Sequence, residues 1–341
     1  RRRPAPKRTE ADARFPASTS ADCAALFSTG TSRGRLSRQR GDKMPVDGPI
    51  PGWLLSAAAA ATIFTVMFDL GLAITPGHFR KAWIHPGLML KSLFAALVAV
   101  PALALIVVRC VDLARPVEVG IVLMAISPGA PVALRRSLDA GGQRDFAPAL
   151  QIAVAILAVV TIPLWIAGLD EVYGASASVD PNHLARQVFV AQLLPLALGI
   201  GLNRMRPNWA AALGVRSTRL ATFLLLALTA LALIAVWEPV QDAGVHAAGA
   251  IVLITAGALA TGHLLGGPDP TTRSAAAILT AARNPGLAMV VATVNHAAPL
   301  VIAAILAYLL VAALTMLPYI FWRRRSSRRQ ASRPIRPDGR R

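Results

Sequence analysis

"ILTAARNPGLAMVV", residues 278–291, sets an arginine, an asparagine and a Pro-Gly pair inside a run that otherwise reads as membrane. A charged side chain at the middle of a membrane helix costs about 2.5 to 3.5 kcal/mol on insertion scales, so Arg283 calls for a partner or a wet cavity. Proline and glycine beside it break the helix and free backbone groups that lipid cannot satisfy. Such a break must be buried in protein or line a cavity.

The surrounding chain is membrane-like throughout. Of 341 residues, 55% are hydrophobic and 15% charged, too apolar for one or two soluble domains. A membrane helix needs about 20 apolar residues. Candidate spans lie near 53–75, 87–108, 116–134, 146–169, 184–203, 216–237, 243–266, 272–294 and 298–322. The fold class expected is therefore an all-α polytopic membrane protein with about nine transmembrane helices.

The net charge of +18 sits in the tails. "RRRPAPKR" and "RGRLSRQR" precede residue 44, and nine arginines lie in "WRRRSSRRQASRPIRPDGRR". No basic face with interleaved aromatics accompanies them, which argues against nucleic acid as a partner. Residues 1–52 read as a basic, disordered leader, with translation expected to start at Met44; 53–322 read as the membrane domain and 323–341 as a basic tail. Cys23 and Cys110 provide neither a disulfide framework nor metal-ligand spacing. No nucleophile with a paired base, phosphate-cradling loop or catalytic carboxylate pair appears, so no enzyme activity and no cofactor are expected.

Loop charges give the orientation. Arg80 and Lys81 follow span 1, Arg135, Arg136 and Arg144 follow span 3, and Arg204, Arg206, Arg216 and Arg219 follow span 5. Asp170, Glu171 and Asp180 follow span 4, and Glu238 and Asp242 follow span 6. Under the positive-inside rule the carboxyl end is cytoplasmic and the amino end of the membrane domain is outside, in a bacterial-type inner membrane.

A second break, "ISPGAP" at 126–131, lies in span 3, five spans before the one in span 8. Either alone reads as an ordinary proline kink. An odd offset turns span 8 upside down relative to span 3, the topology of an inverted repeat with paired discontinuous helices. Half-helix amino ends attract anions and unwound carbonyls attract cations, as in a secondary transporter's binding site.

These residues resemble the bile acid:sodium symporter superfamily. "VMFDLGLAITPGHF" at 66–79 is similar to its early phenylalanine and glycine-leucine signature. "PVEVGIVLMAISPGAPVALRRSLDAGGQRDFAPAL" at 116–150 is similar to its first crossover and the polar helix after it, and "TRSAAAILTAARNPGLAMVVA" at 272–292 to its second. The likeness runs from about residue 53 to 322 and matches the shorter topology that lacks one amino-terminal helix. It implies transport of a small organic anion by alternating access.

The departures concern sodium. Positions that match the family's sodium ligands are Ala133, Leu134, Ala147, Gln151 and Ala96; the shared glutamate falls on Leu279 and a glutamine on Arg283, while Asn284 is kept. Sodium needs several oxygen ligands, and Leu279 removes the anionic one. Sodium and protons therefore stand as alternative coupling ions, with Arg283 a fixed cation in the sodium's place that can offer its planar fork to a carboxylate, sulfonate or phosphate. Alternatively Arg283 pairs with an internal acid such as Asp69 and holds the two halves together.

The substrate-binding residues expected are Arg283, Asn284, Ser127, Gly129, Thr280, Ser137 and Gln151. Asp69 is either a proton-coupling carboxylate or a counter-ion for Arg283 or Lys91. Arg135 and Arg136 line an anion vestibule or merely satisfy the orientation rule; Lys91 snorkels, and His263 makes a helix-helix hydrogen bond. The rival functions are an ordinary sodium symporter and a transport-inactive sensor or assembly protein.

Overall fold

A computed structural model describes residues 52–73, 85–173, 181–295 and 297–331. The leader with Cys23 and Met44, the basic pair Arg80 and Lys81, and the last ten residues lie outside the described residues. Eleven helices follow in order: α1 Gly52–Ala73, α2 Pro86–Cys110, α3 Arg115–Ala125, α4 Pro131–Asp139, α5 Phe146–Tyr173, α6 residues 181–205, α7 residues 207–243, α8 Gly244–Leu265, α9 Pro270–Ala281, α10 Pro285–Val294 and α11 Pro299–Ala331.

Proline sets many of these starts. Pro86, Pro131, Pro181, Pro207, Pro270, Pro285 and Pro299 each occupy a first helical position, where the missing N–H is unneeded and φ is already helical. Gly244, at φ 73° and ψ 175°, interrupts the helical stretch Pro207–Leu265 and separates α7 from α8. Sequence placed that junction a few residues earlier, in the acidic segment. α11 likewise runs on to Ala331, so the basic segment expected as a tail from residue 323 begins as helix.

Among the described residues five helices are long and apolar enough to cross a membrane: Pro86–Cys110, Phe146–Leu169, Asn182–Met205, Gly244–Leu265 and Pro299–Arg329. This is an all-helical, polytopic membrane protein. By contrast α3 and α4 have 11 and 9 residues, and α9 and α10 have 12 and 10. At about 1.5 Å per residue each reaches only half of a hydrocarbon core roughly 30 Å thick.

Small residues let the helices close up, since side-chain volume rather than water drives packing in lipid. A Cβ on Gly71 of α1 would lie 2.9 Å from the Cα of Gly199 of α6, and one on Gly120 of α3 would lie 2.7 Å from the Val301 carbonyl of α11.

Two π-turns, Ala95–Ala99 in α2 and Phe189–Leu193 in α6, each end just before a proline, Pro101 and Pro195. In α2 the Val100 amide bonds back to Ala95. The Ala96 carbonyl thereby loses its ordinary partner, and the next amide along belongs to Pro101, which has none. Leu97 loses its partner to the same proline and recovers one from Trp165 Nε1 of α5 at 2.9 Å.

The two broken helices meet at their breaks. Pro128 and Arg283 form an isolated antiparallel bridge, and the Asn284 amide donates to the Ser127 carbonyl at 2.8 Å. Two pieces of non-helical backbone thus satisfy each other at the buried centre of the molecule.

Candidate functional site

The site is built outward from "RNPG". Asn284 is the N-cap of α10: its Oδ1 accepts from the Leu287 amide at 3.2 Å, and Pro285 follows at the first helical position. Asparagine before proline is a favoured helix start, so part of what sequence read as a binding residue is capping chemistry. Its Nδ2 has no acceptor within the protein.

Arg283 stands just ahead of that cap and is 4% exposed. Its Nη1 donates to the carbonyls of Ala96 and Ala125, both at 2.9 Å, and Nη2 donates to that of Thr280 at 2.7 Å. These three carbonyls have a common origin. Ala125 and Thr280 lie in the last turns of α3 and α9, where carbonyls run out of helical partners, and Ala96 is orphaned by the π-turn and Pro101. The carboxyl ends of two half-helices also carry partial negative charge, which a guanidinium complements. Arg283 Nε is left without an acceptor.

The internal acid that sequence offered as a partner for Arg283 is engaged elsewhere. Asp69 Oδ2 accepts from Arg135 Nη2 of α4 at 3.0 Å, and its Oδ1 accepts from Thr218 Oγ1 of α7 at 2.8 Å. Arg135 also donates to the Thr218 hydroxyl, closing a ring across α1, α4 and α7. Arg283 is held by backbone carbonyls instead.

The other expected residues divide. Ser127 contributes its carbonyl to the Asn284 amide, while its buried hydroxyl is unpartnered. Gly129 adopts φ 86°, and its carbonyl accepts from Gln151 Nε2 at 2.8 Å. Gln151 therefore braces the first break from α5. Thr280 supplies a carbonyl to Arg283 but keeps a buried, unpartnered hydroxyl, as does Ser137.

A cavity of about 90 Å3 adjoins the breaks. Its walls are Thr62, Ile63 and Val66 of α1, Ala133 and Arg136 of α4, the segment from Ala281 to Gly286, and Tyr308 and Met316 of α11. Of the expected binding residues it takes in Arg283 and Asn284; Ser127, Gly129, Ser137, Gln151 and Thr280 do not line it. Arg136 and Arg135 diverge from neighbouring positions, one to the cavity and one to Asp69.

Two residues were missed by sequence. Tyr308, fully buried on α11 and lining the cavity, carries a hydroxyl without a hydrogen bond. Gln192, fully buried in the π-turn of α6, has both amide ends unpartnered and would lie 3.6 Å from a Cβ on Gly129. Each sits within an apolar run; the readable clue to Gln192 was Pro195, three residues on. Outside this region Glu118 pairs with Arg115 at 3.0 Å, Lys91 is exposed, and His263 Nδ1 meets Tyr319 Oη at 2.8 Å between α8 and α11. No group of three His, Cys, Asp or Glu residues able to hold a metal ion occurs among the described residues.

A family model described as the sodium bile acid symporter family matches residues 60–242, more than half of the chain. The match runs from α1 into α7 and contains the first break but not the second. No curated protein matches the chain.

Proposed function

The chain belongs to the sodium bile acid symporter family, a membrane transporter and not an enzyme, and from that premise we propose a sodium-independent mode of organic-anion transport. Membership makes it a secondary transporter for solutes of the bile-acid or organic type, with a multi-pass membrane domain. The finer reading is that the tethered guanidinium of Arg283 does the work of a coupling cation.

One observation carries it. Arg283 collects orphaned carbonyls from α2, α3 and α9, all within 2.9 Å, as a bound cation would at a crossing of broken helices. The aliphatic residues Ala133, Leu134 and Leu279 nearby have no side-chain oxygen for a mobile ion.

Nine spans arranged as an inverted repeat fit the helix order, with α3/α4 and α9/α10 as the two crossovers and α6 as the span without a counterpart. With the carboxyl end cytoplasmic, the cavity runs from the breaks toward the cytoplasmic ends of α4 and α11. A small organic anion sits there against Asn284 and the break, with Arg136 at the cytoplasmic end supplying positive charge.

Asp69 couples the cycle to protons. Its carboxylate holds Arg135 and Thr218, tying α4 to α1 and α7, and neutralising it releases α4 to rock. Ser127, Gly129, Thr280 and Gln151 shape the breaks, Ser137 caps the far end of α4, and Arg283 balances the anion's charge through the shared cavity.

Uptake of a panel of organic carboxylates and sulfonates into proteoliposomes, with sodium and proton gradients imposed separately, tests the reading. Uptake that persists without sodium is expected. Strict sodium dependence overturns the fixed cation and restores an ordinary symporter.

A further inference from the structure

At the end of α9 opposite the break, the last turn of α8 meets α11. The α8 span, Gly244–Leu265, has 22 residues, about 33 Å of helix against a hydrocarbon core roughly 30 Å thick, so its last turn reaches the headgroup layer. There the rings of His263, Tyr319 and Trp322 cluster with centroids 5.6 to 5.9 Å apart, as aromatic side chains do at a membrane interface. Trp322 is 52% exposed and Leu264 is 79% exposed. The cluster therefore has an open, apolar rim.

Two arginines surround it. Arg323 is 7% exposed; its Nε donates to Ser274 Oγ, its Nη2 donates to the Pro270 carbonyl at 2.6 Å, and its Cζ lies 5.3 Å from the centre of the Trp322 ring. Arg273 donates from Nε to the Gly267 carbonyl. Both guanidiniums act electrostatically on His263 and Tyr319. Their braces leave Arg323 Nη1 and both Nη groups of Arg273 without an acceptor among the described residues, and none of these three atoms is sealed from the surface. The nearby carboxylates are committed: Asp269 Oδ1 accepts from the amide and hydroxyl of Thr271, and Asp139 pairs with Arg324 at 2.9 Å. Two braced cations with open donors and no carboxylate between them fit a multidentate anion.

We infer that Arg273 and Arg323 form the headgroup site of an anionic phospholipid, whose phosphate bridges α9 to α11 and whose acyl chains descend past Leu264 and Trp322. The depth of the two arginines and the apolar rim beneath them select a lipid over a soluble anion. Arg325 and Arg328, exposed further along α11, repel a cationic choline and favour a headgroup with net negative charge. Arg323 already ties α11 to the first turn of α9 through Pro270 and Ser274. A phosphate shared with Arg273 adds a second tie, so the lipid stabilises the half-helix that leads to Arg283.

The test uses the full-length protein in detergent, stripped of lipid and titrated separately with dioleoylphosphatidylglycerol, dioleoylphosphatidylcholine and soluble glycerophosphate. Native mass spectrometry counts lipid adducts on the folded protein, and each variant's thermal midpoint is read against its own lipid-free value. Phosphatidylglycerol is expected to form a discrete adduct and raise the midpoint, and the other two probes not to. Arg273→Gln should raise the half-saturating phosphatidylglycerol concentration by about tenfold or more, the loss of one hydrogen-bonded contact to a charged acceptor. Arg328→Gln, which removes an exposed charge of the same helix, should raise it less. Equal shifts in the two variants would mean a diffuse basic surface and overturn the site, as would equal binding of the two lipids or no response to any probe. A response to glycerophosphate matching that to phosphatidylglycerol would make it a soluble-anion site and overturn the lipid.

Discussion

Arg283 Nη1 donates to the carbonyl oxygen of Ala96 at 2.9 Å, and that carbonyl is available because Pro101 stands five residues further along α2. One helix is locally unwound to present a backbone oxygen, and a distant break supplies the cation that takes it. The same guanidinium also closes the ends of α3 and α9. Each buried carbonyl left unpaired would cost about 1 to 3 kcal/mol.

Replacing the tethered cation should therefore create a demand for a mobile one. Arg283→Leu strands three carbonyls and is expected to lose on the order of 3 kcal/mol or more, read as a fall of roughly 10 °C in thermal midpoint. Arg283→Gln keeps a donor but no charge, and sodium chloride should raise its midpoint relative to choline chloride, by mass action on the emptied carbonyl cage. The wild type should not distinguish the two salts. A sodium response in the wild type, or none in Arg283→Gln, counts against the fixed cation.

The Asp69 ring makes a separate prediction about coupling. Asp69→Asn keeps the shape of the side chain but removes the charge that holds Arg135 and receives Thr218. Uptake driven by an inward proton gradient should lose most of its stimulation, while exchange of labelled for unlabelled substrate at equal pH persists. Exchange should likewise persist in Arg135→Gln, which loosens the same contact between α4 and α1. Undiminished stimulation in Asp69→Asn would remove this residue from the coupling step.

The helices and both breaks were legible because each depends on local chemistry: apolar length, Pro-Gly pairs, and asparagine or aspartate before proline. The partners of the charged residues were not, because they depend on which helices touch. Nothing near Asp69 in sequence points to Arg135, 66 residues away, or to Thr218, 149 residues away. Arg283 looked free for a substrate because its acceptors are backbone carbonyls, which sequence does not mark. Pro101 was the available sign for Leu97, whose carbonyl a proline four residues on orphans; Ala96 is freed by the π-turn as well, which sequence does not mark. Tyr308 carried no sign; in an apolar run a tyrosine reads as core.

The crossing of α1 and α6 should tolerate no side chain at its centre. Gly71 and Gly199 face each other so closely that a Cβ on either lies 2.9 Å from the other's Cα, with carbonyls of the opposite helix nearer still. Relief requires moving backbone, since no flexible side-chain end stands in the way. Gly71→Ala and Gly199→Ala are each expected to lose about 2 kcal/mol or more, beyond typical overpacking because the obstacle is backbone. Reduced monodisperse yield and a lowered midpoint would register it, whereas Gly168→Ala, which meets nothing within 4 Å, serves as the neutral comparison.

The two Pro-Gly pairs look equivalent in sequence and should respond differently to substitution. Gly129 has φ 86°, a left-handed conformation that costs a residue with a Cβ roughly 1 to 2 kcal/mol. Its new Cβ would also press Val154 Cγ1 at 3.3 Å and crowd Gln151 Nε2, which holds the Gly129 carbonyl. Gly286 instead lies in the first turn of α10, beyond the Asn284 cap. Alanine there gains up to about 1 kcal/mol of helix preference and asks only that Ile63 Cβ, at 3.2 Å, give by a few tenths of an ångström. Gly129→Ala should therefore lower the thermal midpoint by several degrees and disturb the break that Gln151 braces, whereas Gly286→Ala should stay within about 1 kcal/mol of the wild type. Equal losses at the two positions would mean that both breaks need glycine for the same reason, which the backbone at Gly286 argues against.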